Sequence, residues 1–196
     1  MKIVFATGNQ GKVREIKQIM DDMDAEIVSM KEAGIDIEIE ENGATFEENA
    51  LIKARAIAKE ANVLVLADDS GLEIDYLDKA PGVLSARYMG EDTPYSVKNQ
   101  HILELLKDVQ GEARSARFVC SIAAVFPDGR EFTTYATIEG EIAQKSEGEN
   151  GFGYDPIFFV PEFGKTTAEL SPEEKNKISH RGKALSMMKE ILKKEI

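Results

Sequence analysis

Five carboxylates at two places in this 196-residue chain have the residue type and crowding that chemistry on an anion needs: Glu38, Glu40 and Glu41, then Asp68 and Asp69. Carboxylate oxygens are hard ligands suited to Mg²⁺, which keeps several waters and takes one or two protein carboxylates plus substrate phosphates. Alternating acids at 38 and 40 also suit a solvated edge that discourages sheet aggregation, and that is the reading favoured for those two. Asp68 and Asp69 differ because they follow the aliphatic run Val63 to Ala67. Two acids directly after a buried strand crowd negative charge at a sheet end, which invites a cation or a raised pKa, so function is favoured there. The pair is not the Asp-x-Asp arrangement of aspartyl-phosphate phosphatases, since adjacent acids point in different directions.

A second set of residues could hold the anion itself. TGNQGK, Thr7 to Lys12, follows a short apolar run and opens a helical pattern, so backbone N–H groups and the positive helix end could cradle a phosphate, with Lys12 adding a charge. It is not the triphosphatase P-loop, because only two residues separate Gly8 from Gly11 and Val13 stands where Ser or Thr is required. A tight turn using glycine for positive φ explains the same residues, and both readings stay open. Gly151-Phe152-Gly153-Tyr154-Asp155-Pro156 is a glycine-punctuated loop whose aromatics could stack on a flat base or merely cap a core. Ser179-His180-Arg181 places a titratable ring beside a fixed cation, a few residues after Lys175. No Gly-x-Ser-x-Gly elbow occurs, which argues against a serine hydrolase. Asn49 and Lys53 share a helix face; Lys53 could reach phosphates, but a solvated lysine is the favoured reading.

The elements that must carry these residues alternate. Lys2 to Ala6 reads as a buried strand, and Val13, Ile16, Ile19 and Met20 follow at helical spacing. Glu26 to Ser29 suggests a second strand, then Asp36 to Gly43 an extended acidic segment. Thr45 with Glu48 makes a capping box for a helix whose apolar stripe includes Phe46, Ala50, Ala54 and Ile57. Val63 to Ala67 reads as a central strand that stops at the acids, leaving them at its carboxyl end. Thr93-Pro94 starts a helix running to about Val109. Arg117 to Phe126 and Glu131 to Ala143 flank Pro127-Asp128-Gly129 as a hairpin, and Ser171-Pro172 opens a last helical region that Gly182 interrupts. The pattern is α/β, a mixed sheet with helices on it.

Composition narrows the partners. With 36 acidic and 24 basic residues the net charge is -12, which repels nucleic acid at long range, so a phosphate-bearing ligand must be captured locally. One cysteine and two histidines exclude an intrachain disulfide and a Cys/His zinc cluster. No apolar stretch is long enough for a bilayer or a signal peptide, so no membrane partner and a cytoplasmic location are expected.

Six blocks in order, ATGNQGK, TFEENALIKARA, LADDSGL, APGVLSARY, GFGYDPIFFVP and ISHRGKAL, resemble the inosine triphosphate pyrophosphatase family across nearly the whole chain. The resemblance implies one domain over 1–196: an elongated mixed β-sheet flanked by helices, two lobes with a cleft between them, assembled as a homodimer. It places a substrate loop on Thr7, Gly8, Asn9, Gln10, Gly11 and Lys12, Mg²⁺ ligands on Glu41 and Asp69, the proton acceptor on Asp69 and a substrate contact on Ser70. Phe152, Gly153, Tyr154 and Asp155 match the nucleoside segment, Lys175 a binding lysine, and His180 with Arg181 the residues that close over the base.

The implied activity is hydrolysis of ITP, dITP or XTP to monophosphate and pyrophosphate, water attacking the α-phosphorus while Asp69, or Asp68 beside it, takes the proton. Hypoxanthine and xanthine carry an acceptor oxygen where adenine carries a donor amino group, so a donor from Arg181, His180 or the loop backbone would separate them. A pyrophosphatase for modified pyrimidine or methylated nucleotides, and a nucleotide sensor without turnover, are the competing expectations.

Overall fold

Leu64–Ala67 has aliphatic side chains on both of its faces, and a strand can bury both faces only in the middle of a covered sheet. The computed structural model, which describes residues 2–196, places it there. Strand β1 (Lys2–Phe5) pairs in parallel with β2 (Glu26–Ser29) on one side and with β3 (Leu64–Ile74) on the other. Beyond β3 come β4 (Ser115–Val125), β5 (Glu131–Ile142), β6 (Phe158–Val160) and β7 (Lys165–Thr166). Among the described residues these form one seven-stranded sheet in the order β2-β1-β3-β4-β5-β6-β7. The β5–β6 and β6–β7 pairs are antiparallel, so the sheet is mixed and the fold is α/β.

The chain gathers into two compact units: residues to Asp69 with Cys120–Ala136 and His180–Ile196, and Ser70–Val119 with Thr137–Ser179. Helices α1 (Gln10–Ile19), α2 (Phe46–Ala61) and α5 (His180–Glu195) belong to the first; α3 (Tyr95–Leu105) and α4 (Pro172–Ile178) belong to the second.

In the first unit the period-two alternation of β3 divides the core. Leu64 and Leu66 pack with Ile16 of α1, with Met20 at its C-cap and with Leu185 and Met188 of α5. Val65 and Ala67 pack on the opposite face with Ala50, Ala54 and Ile57 of α2. Ile35, Ile37 and Ile39 dock on that second cluster while Asp36, Glu38 and Glu40 face solvent, so the acidic segment is held by its isoleucines. The thiol of Cys120 is buried in the first cluster, and burial pushes it up to about 12. In the second unit, Leu72 and Ile74 of β3 join Ile102 and Leu106, Ile157 and Phe158 in a separate core.

Local signals set most boundaries. Thr45 Oγ1 accepts from Glu48 N at 3.1 Å, while the Glu48 carboxylate reaches back to Ala44 N, one residue beyond the N-cap amide that a capping box uses. Asp128 accepts from Arg130 N and Gly129 takes a φ of +89° in the β4–β5 turn.

Four expectations change. Strand β3 does not stop before the acids: it runs through Asp68, Asp69 and Ser70 to Ile74, so the carboxylates lie mid-strand. Cationic partners from distant segments make that burial tolerable, as described below. Helix α3 starts at Tyr95, with Pro94 at the N-cap position and the Thr93 hydroxyl donating to Met89 O, and it ends at Leu105. The last helical region breaks at Ser179, whose extended backbone separates α4 from α5, and Gly182 lies inside α5. In the TGNQGK turn neither Gly8 nor Gly11 has a positive φ.

Candidate active site

Parallel β1 ends opposite Leu66 while β3 continues, so the chain leaving β1 as Thr7–Asn9 lies outside the carboxyl end of a strand, the customary ligand position in open α/β sheets. Asn9 caps α1: its Oδ1 accepts from Gly11 N at 2.8 Å and Lys12 N at 3.2 Å, and Thr7 Oγ1 accepts from Asn9 N at 3.1 Å. Side chains of the turn therefore satisfy part of the donor set that a phosphate could use. Gly8 and Gln10 are exposed, and no atom lies within 4 Å of where a Gly8 Cβ would be.

Lys12 reaches inward. Its Nζ is 2.9 Å from Asp68 Oδ2. The same oxygen accepts from Arg181 Nε and Nη2, each at 3.3 Å, and Arg181 Nη1 bonds Glu15 of α1. Asp68 is fully buried, and burial alone opposes its ionisation, but Lys12 and Arg181 hold its carboxyl well below the ordinary carboxylate range. Asp68 is thus a fixed anion between two cations.

Asp69 points to the other face of β3, toward α2. Its Oδ2 accepts from Asn49 Nδ2 at 3.1 Å, and its Oδ1 lies 3.9 Å from Lys53 Nζ. Lys53 Nζ donates to Glu41 Oε2 at 2.7 Å, so Glu41 and Asp69, distant in sequence, meet at one ammonium. Burial pushes the Asp69 carboxyl up to about 6; Lys53, Lys12 and Asn49 oppose this, and Glu41 adds to it. Asn49, fully buried, explains the convergence. Its Oδ1 accepts from Gly43 N at 2.8 Å while its Nδ2 holds Asp69, tying the acidic segment to the strand. A Cβ on Gly43 would lie 2.7 Å from Asn49 Oδ1, so only glycine fits.

Two residues carry more than their sequence reading gave them. Lys53 is not solvated; it is 9% exposed and ion-paired. Asn49 had no signal apart from sharing a helix face with Lys53, yet it joins the two acids. The helical spacing was the available clue: positions 49 and 53 fall one turn apart on the face that α2 buries.

Among the described residues no group of three or more His, Cys, Asp or Glu is arranged to hold a metal ion. The donor set fits Mg²⁺ nonetheless, because two hard carboxylates already converge on a cation and that ion takes its other ligands from water and phosphate. Glu38 and Glu40 are exposed and do not join them. Ser70 follows Asp69 on β3, half-buried. His180, buried, is the first residue of α5.

The second unit holds the other candidates. Gly151 and Gly153 have φ of +74° and +68°, and a Cβ on Gly151 would strike Asp155 Oδ2 at 2.2 Å. Asp155 organises the loop: Oδ2 accepts from Phe152 N at 2.8 Å and pairs with Lys175 Nζ at 2.6 Å, while Oδ1 accepts from Thr167 Oγ1 at 2.7 Å. Lys175 Nζ stands 4.9 Å from the centre of the Phe152 ring. Asn99 of α3 donates to Gly153 O at 3.0 Å. Tyr154 is buried edge-on against Tyr95 with its hydroxyl donating to Ser85 O at 2.7 Å, so its ring caps a core; Phe152 is half-buried.

Known proteins share this arrangement of sequence. The profile of the Ham1 family matches residues 3–191. The chain is 49% identical to the dITP/XTP pyrophosphatase of Clostridium perfringens, over 98% of this chain and 97% of that protein. It is 48% identical to the dITP/XTP pyrophosphatase of Bacillus subtilis, over 96% of each. A HAM1 protein from Coxiella burnetii superimposes with a TM-score of 0.89 at 43% identity, covering 99% of both chains. The Ham1 protein of Staphylococcus aureus does so at 0.87 and 43%, over the full length of both.

Proposed function

The chain belongs to the Ham1 family, and from that premise we propose that it is a pyrophosphatase that hydrolyses dITP, XTP and ITP to the monophosphate and pyrophosphate. The activity for which the relatives are named, dITP/XTP pyrophosphatase, supports the reaction class. The observation that carries the reading is the meeting of Glu41 and Asp69 at Lys53, with Lys12 close enough to act on Asp69.

Water attacks the α-phosphorus and pyrophosphate leaves with growing negative charge. Bound at Glu41 and Asp69, Mg²⁺ would polarise phosphate oxygens and stabilise that charge. Asp69 takes the proton of the attacking water. Before a metal binds, burial holds this carboxyl at about 6, so near neutral pH it is ionised and can take up either a cation or a proton. Asp68 is a poor candidate for that step, since its Oδ2 is shared by Lys12 and Arg181, whose charges keep the carboxylate from accepting a proton. Lys12 follows the turn Thr7–Gly11, exposed at Gly8, Asn9 and Gln10, which is the proposed phosphate-contacting segment together with Ser70. Phe152 offers the ring for a purine, and Asp155 with Lys175 fixes the loop that carries it. His180 and Arg181 are the proposed donors to the 6-oxygen of the base. Arg181 must exchange part of its bonding to Asp68 and Glu15 to serve there. The working form is taken to be a cytoplasmic homodimer, which light scattering of the purified protein tests.

Release of monophosphate and pyrophosphate across dITP, XTP, ITP, the standard nucleotides, modified pyrimidines and methylated nucleotides, with Mg²⁺, is the decisive measurement. dITP, XTP and ITP are expected to lead; a pyrimidine or methylated substrate ahead of them replaces the reading, and binding without monophosphate points to a sensor.

A further inference from the structure

Lys53 fills the space that a metal held by Glu41 and Asp69 would need. Its ammonium is 2.7 Å from Glu41 Oε2 and 3.9 Å from Asp69 Oδ1, and the residue is 9% exposed. Mg²⁺ binds its donor oxygens at about 2.0–2.1 Å, so an ion shared by the two carboxylates and this ammonium cannot occupy the pair together. The helix cannot carry the lysine away: Ala50, Ala54 and Ile57 anchor α2 in the core of the first unit, and Asn49 is pinned to both Gly43 and Asp69. The flexible lysine stem is the part that can move. A compact ammonium on such a stem can withdraw, whereas the planar fork of an arginine would grip the carboxylates in two bonds.

We propose that Lys53 is a built-in counter-cation that closes the Glu41/Asp69 pair and must withdraw for a divalent ion to bind. This rests on the assignment of those acids as metal ligands. Free metal then binds weakly because each binding event breaks an existing ion pair, and the two acids are never left facing each other uncompensated.

Mn²⁺ alone, titrated into nucleotide-free protein and followed by electron paramagnetic resonance, reads the competition directly. Lys53→Met is expected to bind Mn²⁺ about tenfold tighter than the wild type, the low end of close charge-pair coupling. Lys53→Arg is expected to bind no tighter than the wild type. In the wild-type protein, trace acetylation mapped by mass spectrometry should show Lys53 becoming more reactive as Mn²⁺ saturates, a readout that needs no variant. Equal or weaker Mn²⁺ binding by Lys53→Met, or Lys53 labelling that stays level or falls at saturation, overturns the inference. Glu41→Gln separates the two ideas. If it loses Mn²⁺ binding and nucleotide turnover while Lys53→Met binds as the wild type does, the ligand assignment stands and the counter-cation role falls. If Glu41→Gln changes neither, the assignment fails and takes the inference with it.

Discussion

Asp68 and Asp69 are adjacent, of one residue type and both buried, yet the two faces of β3 give them opposite properties. On the α1 and α5 face, Asp68 is held by Lys12 and Arg181 and its carboxyl is driven down. On the α2 face, Asp69 shares Lys53 with Glu41, and burial pushes it up to about 6. Burial opposes ionisation of both; the balance of neighbouring charge decides the outcome. One acid anchors charge, and the other is left able to exchange a proton or bind a cation.

Replacing each acid by its amide tests that contrast most severely. Asp69→Asn is expected to stay folded and lose turnover by about 10²- to 10⁴-fold, measured as monophosphate released from dITP. A soluble variant with near-normal turnover removes Asp69 from the chemistry. Asp68→Asn is expected to act on stability instead, by about 3 kcal/mol in urea unfolding, because it strands Lys12 and Arg181 with half of their anionic partner. A loss of turnover at unchanged stability would erase the distinction.

The pH dependence should split in the same way. Asp69 has a folded pKa of about 6 against 3.8, so the folded state binds more protons between those values. Its contribution therefore costs stability as pH rises from about 4 to 6, up to about 3 kcal/mol. Asp68 is depressed, so its stabilisation is present above about 4 and lost as pH falls below. Urea unfolding of Asp69→Asn across this range should lack the decline that the wild type shows. In turnover, kcat/KM should fall below a midpoint near 6, and higher Mg²⁺ should move that midpoint down because metal and proton compete for one carboxylate.

The smallest expected effect concerns the residue joining the acids. Asn49→Ala leaves Gly43 N and Asp69 Oδ2 without their shared partner and should cost about 1–3 kcal/mol of stability. The Mg²⁺ concentration needed for half-maximal turnover should rise, since Glu41 is then no longer held toward Asp69. An unchanged metal requirement would mean that the isoleucines at 35, 37 and 39 suffice to place it.

Features written in neighbouring residues were legible in advance. Thr45 and Glu48 announce the start of α2, Glu26–Ser29 is a strand as its composition indicates, and Pro127-Asp128-Gly129 turns a hairpin. Backbone freedom at Gly182 suggests a stop there, but the break falls at Ser179, whose N–H donates to the carbonyl of the Lys175 that Asp155 holds. Tyr154 looked equally fit for stacking or for capping a core, and the Ser85 carbonyl together with the edge of Tyr95 decided for the core.

Composition, motif order and hydrophobic period by themselves determined the α/β alternation, the acids in play and the family likeness, because these depend on residue type and short spacing. They could not determine that β3 continues through two aspartates, that Lys53 is buried, or that one aspartate would be acidic and its neighbour basic. Those outcomes depend on charges brought from positions 12, 41, 53 and 181, and a buried carboxylate takes its ionisation from what folding sets within a few ångströms of it.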